Sequence, residues 1–91
     1  MSYALDLALE VKKVLNELPS ELAEQVLDQL EKLAAHPTKV SRTVPGLPLQ
    51  TFQFNIAAPV EKYLITVLFS YSQDEQTLHL LSMTALKIDN E

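Results

Sequence analysis

The apolar residues of this chain change their spacing near its middle, and that change restricts the folds available to it. From Leu22 to Leu33 they recur every three or four positions, the period of an amphipathic helix, whereas from Phe52 onward they alternate with other residues as in a strand. Helices that precede a run of strands are typical of an α+β domain. Because 91 residues provide room for one hydrophobic core, we expect a single domain over residues 1–91.

The N-terminal part combines a strand with two helices. Its first residues alternate between large apolar and small or polar side chains, which predicts a short strand over about residues 2–7. Helix-spaced apolar residues then follow to about residue 17, before Pro19 stops the first helix. Ser20 is the predicted N-cap of a second helix, which ends before Pro37. Since only two or three residues join the helices, we expect them to pack as a helical hairpin.

A loop and three strands are predicted for the rest of the chain. Residues 38–50 lack a period and contain Pro45, Gly46 and Pro48, so we interpret them as a recognition-type loop. The alternating patterns then predict three strands of an antiparallel meander. We expect the order β-α-α-β-β-β, with the N-terminal strand and helical hairpin packed on a small antiparallel sheet, and a frayed tail over residues 85–91.

The last predicted strand contains one of the two histidines of the chain. Regular alternation there places Leu78 and Leu80 on one face and His79, Leu81 and Met83 on the other. A histidine in the middle of a strand is a candidate general base, whereas the competing interpretation is a hydrogen-bonded structural histidine.

Composition excludes several classes of function. The chain has no cysteine, two histidines and one glycine, which argues against disulfide scaffolds, thiol catalysis, a metal site and a glycine-rich phosphate loop. We therefore predict no metal and no cofactor. The N-terminus lacks a targeting signal, and no apolar run approaches the roughly 20 residues of a membrane-spanning helix. These features predict a cytoplasmic protein with no membrane partner.

The charge distribution leaves one neutral-to-basic stretch in an acidic chain. Seven lysine and arginine residues against 12 acidic residues give a formal net charge of −5, which argues against general nucleic-acid binding. Residues 37–60 are the exception, because they contain Lys39 and Arg42 and no acid. Lys39, Arg42 and the nearby Lys62 are therefore candidate nucleic-acid-binding residues, although Lys39 and Arg42 also fit an ordinary solvated loop.

Several segments carry a family resemblance. They are Tyr3–Leu7, the leucine-rich segment Leu18–Pro37, Gln53–Ile56, Tyr63–Phe69 and Thr77–Met83. In this order and spacing, over about residues 3–84, the chain resembles the RelE/ParE toxin superfamily. The resemblance implies a β-α-α-β-β-β toxin held inactive by an antitoxin peptide wrapped over its sheet and helices. RelE-like members cut mRNA on the ribosome, and ParE-like members poison DNA gyrase.

The chain departs from this family at the positions that carry its chemistry. RelE-like cleavage needs lysines on the second strand, an arginine opening the third and a basic residue after the fourth, which position the phosphate and stabilise developing charge. The matching positions hold Gln53, Asn55, Leu64 and approximately Leu86, and none of them is charged. The C-terminal tyrosine of such enzymes also has no counterpart.

We therefore expect a non-catalytic or binding-mode toxin homologue that pairs with an antitoxin-like protein. One alternative is a ribosome-dependent mRNA endoribonuclease with a non-standard site, for which Arg42 and His79 are the candidate catalytic residues and Lys39, Lys62 and Tyr71 their companions. Ribosome, mRNA or gyrase are expected partners only in the case of an active toxin. The other alternative is a small homodimeric interaction protein.

Overall fold

The computed structural model describes residues 3–37, 41–59, 61–72 and 74–88. The chain folds as a strand, two helices and four further strands, which confirms the predicted α+β class. The elements are β1 (Ala4–Leu7), α1 (Leu9–Glu17), α2 (Ser20–Ala35), β2 (Arg42–Thr43), β3 (Gln50–Ala57), β4 (Lys62–Ser72) and β5 (Thr77–Ile88). None of the helices in the described ranges is long and apolar enough to cross a membrane.

The strands form one mixed sheet in the order β1-β5-β4-β3-β2. The three long strands make the antiparallel meander expected from the sequence. β1 lies at the edge beside β5 and runs parallel to it, so the sheet is not wholly antiparallel. The chain can make this parallel connection because both helices intervene between β1 and the meander.

The segment predicted as a recognition-type loop contains an additional strand. Arg42 and Thr43 pair with Thr51 and Gln50, and this short β2 is the fifth strand of the sheet. The Val44 N–H donates a hydrogen bond to the Leu49 carbonyl at 2.9 Å, which closes a hairpin. The role in recognition stays a prediction, and residues 38–40 lie outside the described residues.

The expected frayed tail is wrong for residues 85–88. β5 continues to Ile88, and its last residues pair with β4 through the register Ala85↔Ile65, Leu86↔Leu64, Lys87↔Tyr63 and Ile88↔Lys62. The ladder hydrogen bonds hold this end of the chain because β4 is equally long on that side. Residues 89–91 lie outside the described residues.

A β-bulge in β5 corrects the predicted faces of that strand. Phe69 pairs with Leu80 while Leu68 pairs with Ser82, so Leu81 is an extra residue in the ladder. The extra residue returns Met83 to the same face as Leu80, where only 6% of Met83 is exposed. Simple alternation predicts the wrong face for Met83 because the extra residue of the bulge moves every later residue of the strand to the opposite face.

The helices cover one face of the sheet and form the core with it. Ser20 is the first residue of α2, and Pro19 occupies the N-cap position without a side-chain hydrogen bond, so the predicted Ser20 cap is wrong. Fixed proline geometry starts the helix instead. The core cluster contains Val11, Leu22, Val26, Leu30, Leu33, Ala34, Phe52, Phe54, Ile56, Ile65, Val67, Phe69, Leu78, Leu80 and Met83.

Candidate functional site on the open face of the sheet

The sheet face opposite the helices, called the open face below, carries the more polar side chains of each strand. It is defined by alternation with the buried residues of β3, β4 and β5 and by the register between strands. Its residues include Ala4, Asp6, Arg42, Thr51, Gln53, Asn55, Ala57, Lys62, Leu64, Thr66, Leu68, Ser70, His79, Ser82, Thr84, Leu86 and Ile88.

The open face brings together the four positions that the family resemblance matches to cationic residues, with Leu86 as the approximate match. Asn55, Leu64 and Leu86 are direct neighbours across β3, β4 and β5. Gln53 lies one side-chain step along β3, where its Nε2 donates a hydrogen bond to Thr66 Oγ1 at 3.1 Å. The spatial grouping is the one that a shared phosphate site would need, but these side chains are two amides and two leucines.

Leucines and an isoleucine form an apolar patch on the same face. Leu86 is 60% exposed, Leu81 41% and Ile88 38%, and they lie along β5 beside the partly exposed Leu64 and Leu68 of β4. The pair Thr66–Thr84 lies between the group at Leu64 and the group at Leu68. We call these five side chains the apolar patch. Clustered apolar side chains on an exposed face are typical of a protein-binding surface, whereas single exposed leucines are common anywhere.

His79 is paired with a carboxylate on the edge strand. Its Nδ1 lies 2.9 Å from Oδ2 of Asp6, and the two residues are direct neighbours in the parallel β1–β5 register. The His79 side chain is 35% exposed and that of Asp6 is 67% exposed. A hydrogen bond to a carboxylate fits both interpretations of His79, the structural histidine and a general base that a carboxylate orients. Sequence reasoning missed Asp6, because only the parallel docking of β1 makes it a neighbour of His79.

The described members of the alternative catalytic set do not converge. Ser70 is the β4 neighbour of His79, and it is eight residues from Lys62, which corresponds to roughly 26 Å along the strand. Arg42 is exposed on β2, at the opposite edge of the sheet from β1. Tyr71 belongs to the other face, where its ring meets that of Tyr3 edge to face at 6.2 Å.

Lys39 and a possible metal site are the remaining features that the sequence analysis considered. Lys39 lies outside the described residues. Across the described ranges, no three or more histidine, aspartate and glutamate side chains are grouped in a way that could hold a metal ion.

Comparison with solved structures assigns the fold. A variant of the Escherichia coli toxin RelE in its free state has 17% sequence identity and a TM-score of 0.68, with 91% of this chain and 82% of that chain covered. The chain has the RelE toxin fold. Sequence comparison finds no matching protein family and no matching curated protein.

Toxin–antitoxin complexes are also among the structures with this fold. A chain of the RelBE2 complex from Mycobacterium tuberculosis has 14% identity and a TM-score of 0.69, with 93% of this chain and 92% of that chain covered. A chain of the intact E. coli RelBE complex has 16% identity and a TM-score of 0.68, with coverages of 90% and 94%. The RelE-like expectation for the fold is thus confirmed across nearly the whole chain.

Proposed function

We propose that this protein is a toxin homologue of the bacterial cytoplasm that lacks RNA-cleaving activity and acts by pairing with an antitoxin-like protein. The observation that supports the proposal is the composition of the open face. At the positions that the resemblance matches to the cations of a RelE-like enzyme, this chain has Gln53, Asn55, Leu64 and approximately Leu86, and the last two belong to the apolar patch.

Electrostatics argue against cleavage at this surface. The transition state of phosphodiester cleavage develops negative charge, and removal of one stabilising donor costs roughly 3–4 kcal/mol in enzymes of acyl transfer. The amides of Gln53 and Asn55 can donate hydrogen bonds but carry no charge. The two leucine side chains have neither a charge nor a hydrogen-bond donor. A net charge of −5 further disfavours approach of RNA.

The same surface favours a protein partner. Burial of apolar side chains against a partner contributes about 25 cal/mol per Å² removed from water. The E. coli and M. tuberculosis complexes show that proteins with this fold assemble with antitoxins. The exposed leucines of the apolar patch provide a surface on which an antitoxin-like segment of this chain's own partner can pack.

Expression in a bacterial host tests the absence of toxicity. We expect normal growth and abundant protein when the chain is induced alone, and no cleavage of mRNA on purified ribosomes. An active RelE-fold ribonuclease serves as the positive control in the cleavage assay. Cleavage of mRNA by the chain would overturn the non-catalytic part, and its loss in the Arg42→Ala, His79→Ala double variant would assign those residues to the reaction. Growth arrest without cleavage would instead show a toxin that acts by binding.

A matched pair of leucine variants tests the binding surface. We expect an antitoxin-like protein encoded beside this chain to co-purify with it, and Leu86→Asp to weaken that complex at least tenfold, because a carboxylate cannot be buried without a partner. Leu27→Asp is the control, since Leu27 is 44% exposed on α2, away from the open face. Equal affinity of the two variants for the partner would exclude the apolar patch as the binding surface. A homodimer disrupted only by Leu86→Asp would assign it to self-association instead.

A further inference from the structure

Acidic side chains are distributed unevenly between the two sides of the sheet. Asp89 and Glu91 lie outside the described residues, which leaves ten of the 12 acidic residues of the chain. Six of the ten belong to α1 and α2, and three belong to the turns before and after β4. The tenth is Asp6, the one acid on the open face among the described residues, where it contacts His79. The open face therefore does not share the acidic character of the whole chain.

Two exposed cations lie beside the apolar patch on that face. Lys62 is the direct neighbour of Ile88 in the β4–β5 register. Arg42 lies in the same row as Leu68, with Thr51 of β3 between them. Among the described residues, no carboxylate lies within salt-bridge distance of Arg42 or Lys62. A segment that covers the apolar patch therefore comes close to two positive charges.

The side chains of the apolar patch point out of the plane of the sheet, and this favours a helical occupant. The backbone groups of β4 and β5 that face each other are bonded within the ladder, so a segment above the patch contacts side chains only. An extended segment in that place would bury backbone N–H and C=O groups without partners, which is costly. A helix satisfies these groups within itself.

The spacing within the apolar patch sets the length of the helix. Leu64 and Leu68 are four residues apart on β4, which corresponds to roughly 13 Å, and the pair Thr66–Thr84 lies between them. In a helix, the positions i, i+7 and i+11 share one stripe, and the second and third lie roughly 10.5 and 16.5 Å from the first. An apolar stripe of about three helical turns therefore spans both groups of leucines.

We propose that the open face binds an amphipathic helix of the antitoxin-like partner, whose apolar stripe packs on the apolar patch and whose flanking carboxylates face Arg42 and Lys62. This inference rests on the proposed function and names the conformation and charge of the binding segment. Docking of the apolar face of a helix is a general mode of peptide recognition, and opposite charges around the contact add specificity.

Two designed peptides test the predicted charge. One helical peptide has a leucine stripe with glutamates on both sides of it, and the matched peptide has lysines in place of the glutamates. We expect the chain to bind the glutamate peptide at least tenfold more tightly in fluorescence anisotropy. The net charge of −5 by itself favours the lysine peptide, so this preference cannot come from total charge. Tighter binding of the lysine peptide, equal binding of the two, or no binding of either would overturn the inference.

Charge reversal at the two cations tests the predicted contacts. The Arg42→Glu, Lys62→Glu double variant should lose the preference for the glutamate peptide. The control is the Lys12→Glu, Lys32→Glu double variant, which changes the net charge by the same amount at exposed positions of α1 and α2. Circular dichroism first shows that both variants are folded. Loss of the preference in both variants would mean that net charge alone governs binding, and would overturn the inference.

The protein partner separates this inference from the proposed function. We expect the complex with the antitoxin-like protein encoded beside this chain to be weakened at least tenfold by Arg42→Glu, Lys62→Glu and much less by the control. A complex that is sensitive to Leu86→Asp but not to reversal of the two cations would overturn the acidic helix and leave the proposed function intact. Self-association of the free chain, lost on reversal of the cations, would assign the face to α2 of a second copy, which exposes Leu27 among acids, and would overturn both.

Discussion

At the scale of one residue, Gln25 is predicted to stabilise the protein through the backbone of β3. Gln25 Nε2 donates a hydrogen bond to the Ala57 carbonyl at 2.7 Å, and the Ala57 N–H donates to Gln25 Oε1 at 2.9 Å. Gln25→Ala removes both hydrogen bonds. Because solvent reaches this site and can replace the lost partners, we expect the free energy of unfolding to fall by about 1 kcal/mol, the net contribution of a typical hydrogen bond. For a domain of this size that loss lowers Tm by roughly 4–8 °C. Denaturant unfolding followed by circular dichroism measures it.

The control lies one helical turn away. Gln29 has the same side chain and is also partly exposed, but no side-chain hydrogen bond joins it to the sheet in the described residues. Gln29→Ala should leave the free energy of unfolding within about 0.5 kcal/mol of the parent. If the two variants unfold alike, the contact between Gln25 and Ala57 contributes nothing specific.

Individual positions differ in how far the sequence could predict them. Gln53, Asn55, Leu64 and Leu86 were placed by resemblance, and the register shows them as neighbours. The contact between Asp6 and His79 could not be predicted, because it depends on a parallel pairing of strands separated by most of the chain. Local periodicity contains no information about such long-range docking.

At the scale of elements, helix α2 is predicted to be indispensable because of its buried stripe. Leu30 is fully buried in the core cluster, and Leu30→Asp places a charge there without a partner. We expect a loss of more than about 4 kcal/mol, and hence an unfolded chain by circular dichroism. Leu27→Asp on the same helix, at a 44% exposed site, should cost less than about 1 kcal/mol. Cooperative melting of Leu30→Asp near the parental Tm would contradict this packing.

Helices and strands could be predicted where the spacing of apolar residues stays regular. They could not be predicted in detail where one extra residue interrupts that spacing. The stripe of α2 and the alternation of β3 and β4 identified those elements. The bulge at Leu81 could not be recognised, because an extra residue in a ladder depends on which strand lies opposite. The two-residue β2 was missed for a related reason, since two residues are too few to show a period.

At the scale of the whole molecule, the distribution of charge over the surface is predicted to decide whether RNA binds. Four substitutions on the open face, Gln53→Lys, Asn55→Lys, Leu64→Arg and Leu86→Arg, raise the formal net charge by four from −5 and group the new cations in adjacent rows. Clustered cations focus the potential over one surface. We expect this variant to bind a single-stranded RNA oligonucleotide at least tenfold more tightly than the parent, as measured by fluorescence anisotropy.

A second variant separates position from total charge. Lysines at four exposed helical positions, Leu9, Asn16, Ser20 and Leu27, add the same charge away from the open face. Neighbouring like charges on a sheet each cost roughly 0.2–1 kcal/mol, so both variants are first shown to be folded. If only the open-face variant binds RNA, and its affinity falls steeply with salt, then the neutral side chains at this site keep the chain from binding RNA. If both bind equally, net charge alone governs the affinity, and the open face has no special relation to nucleic acid.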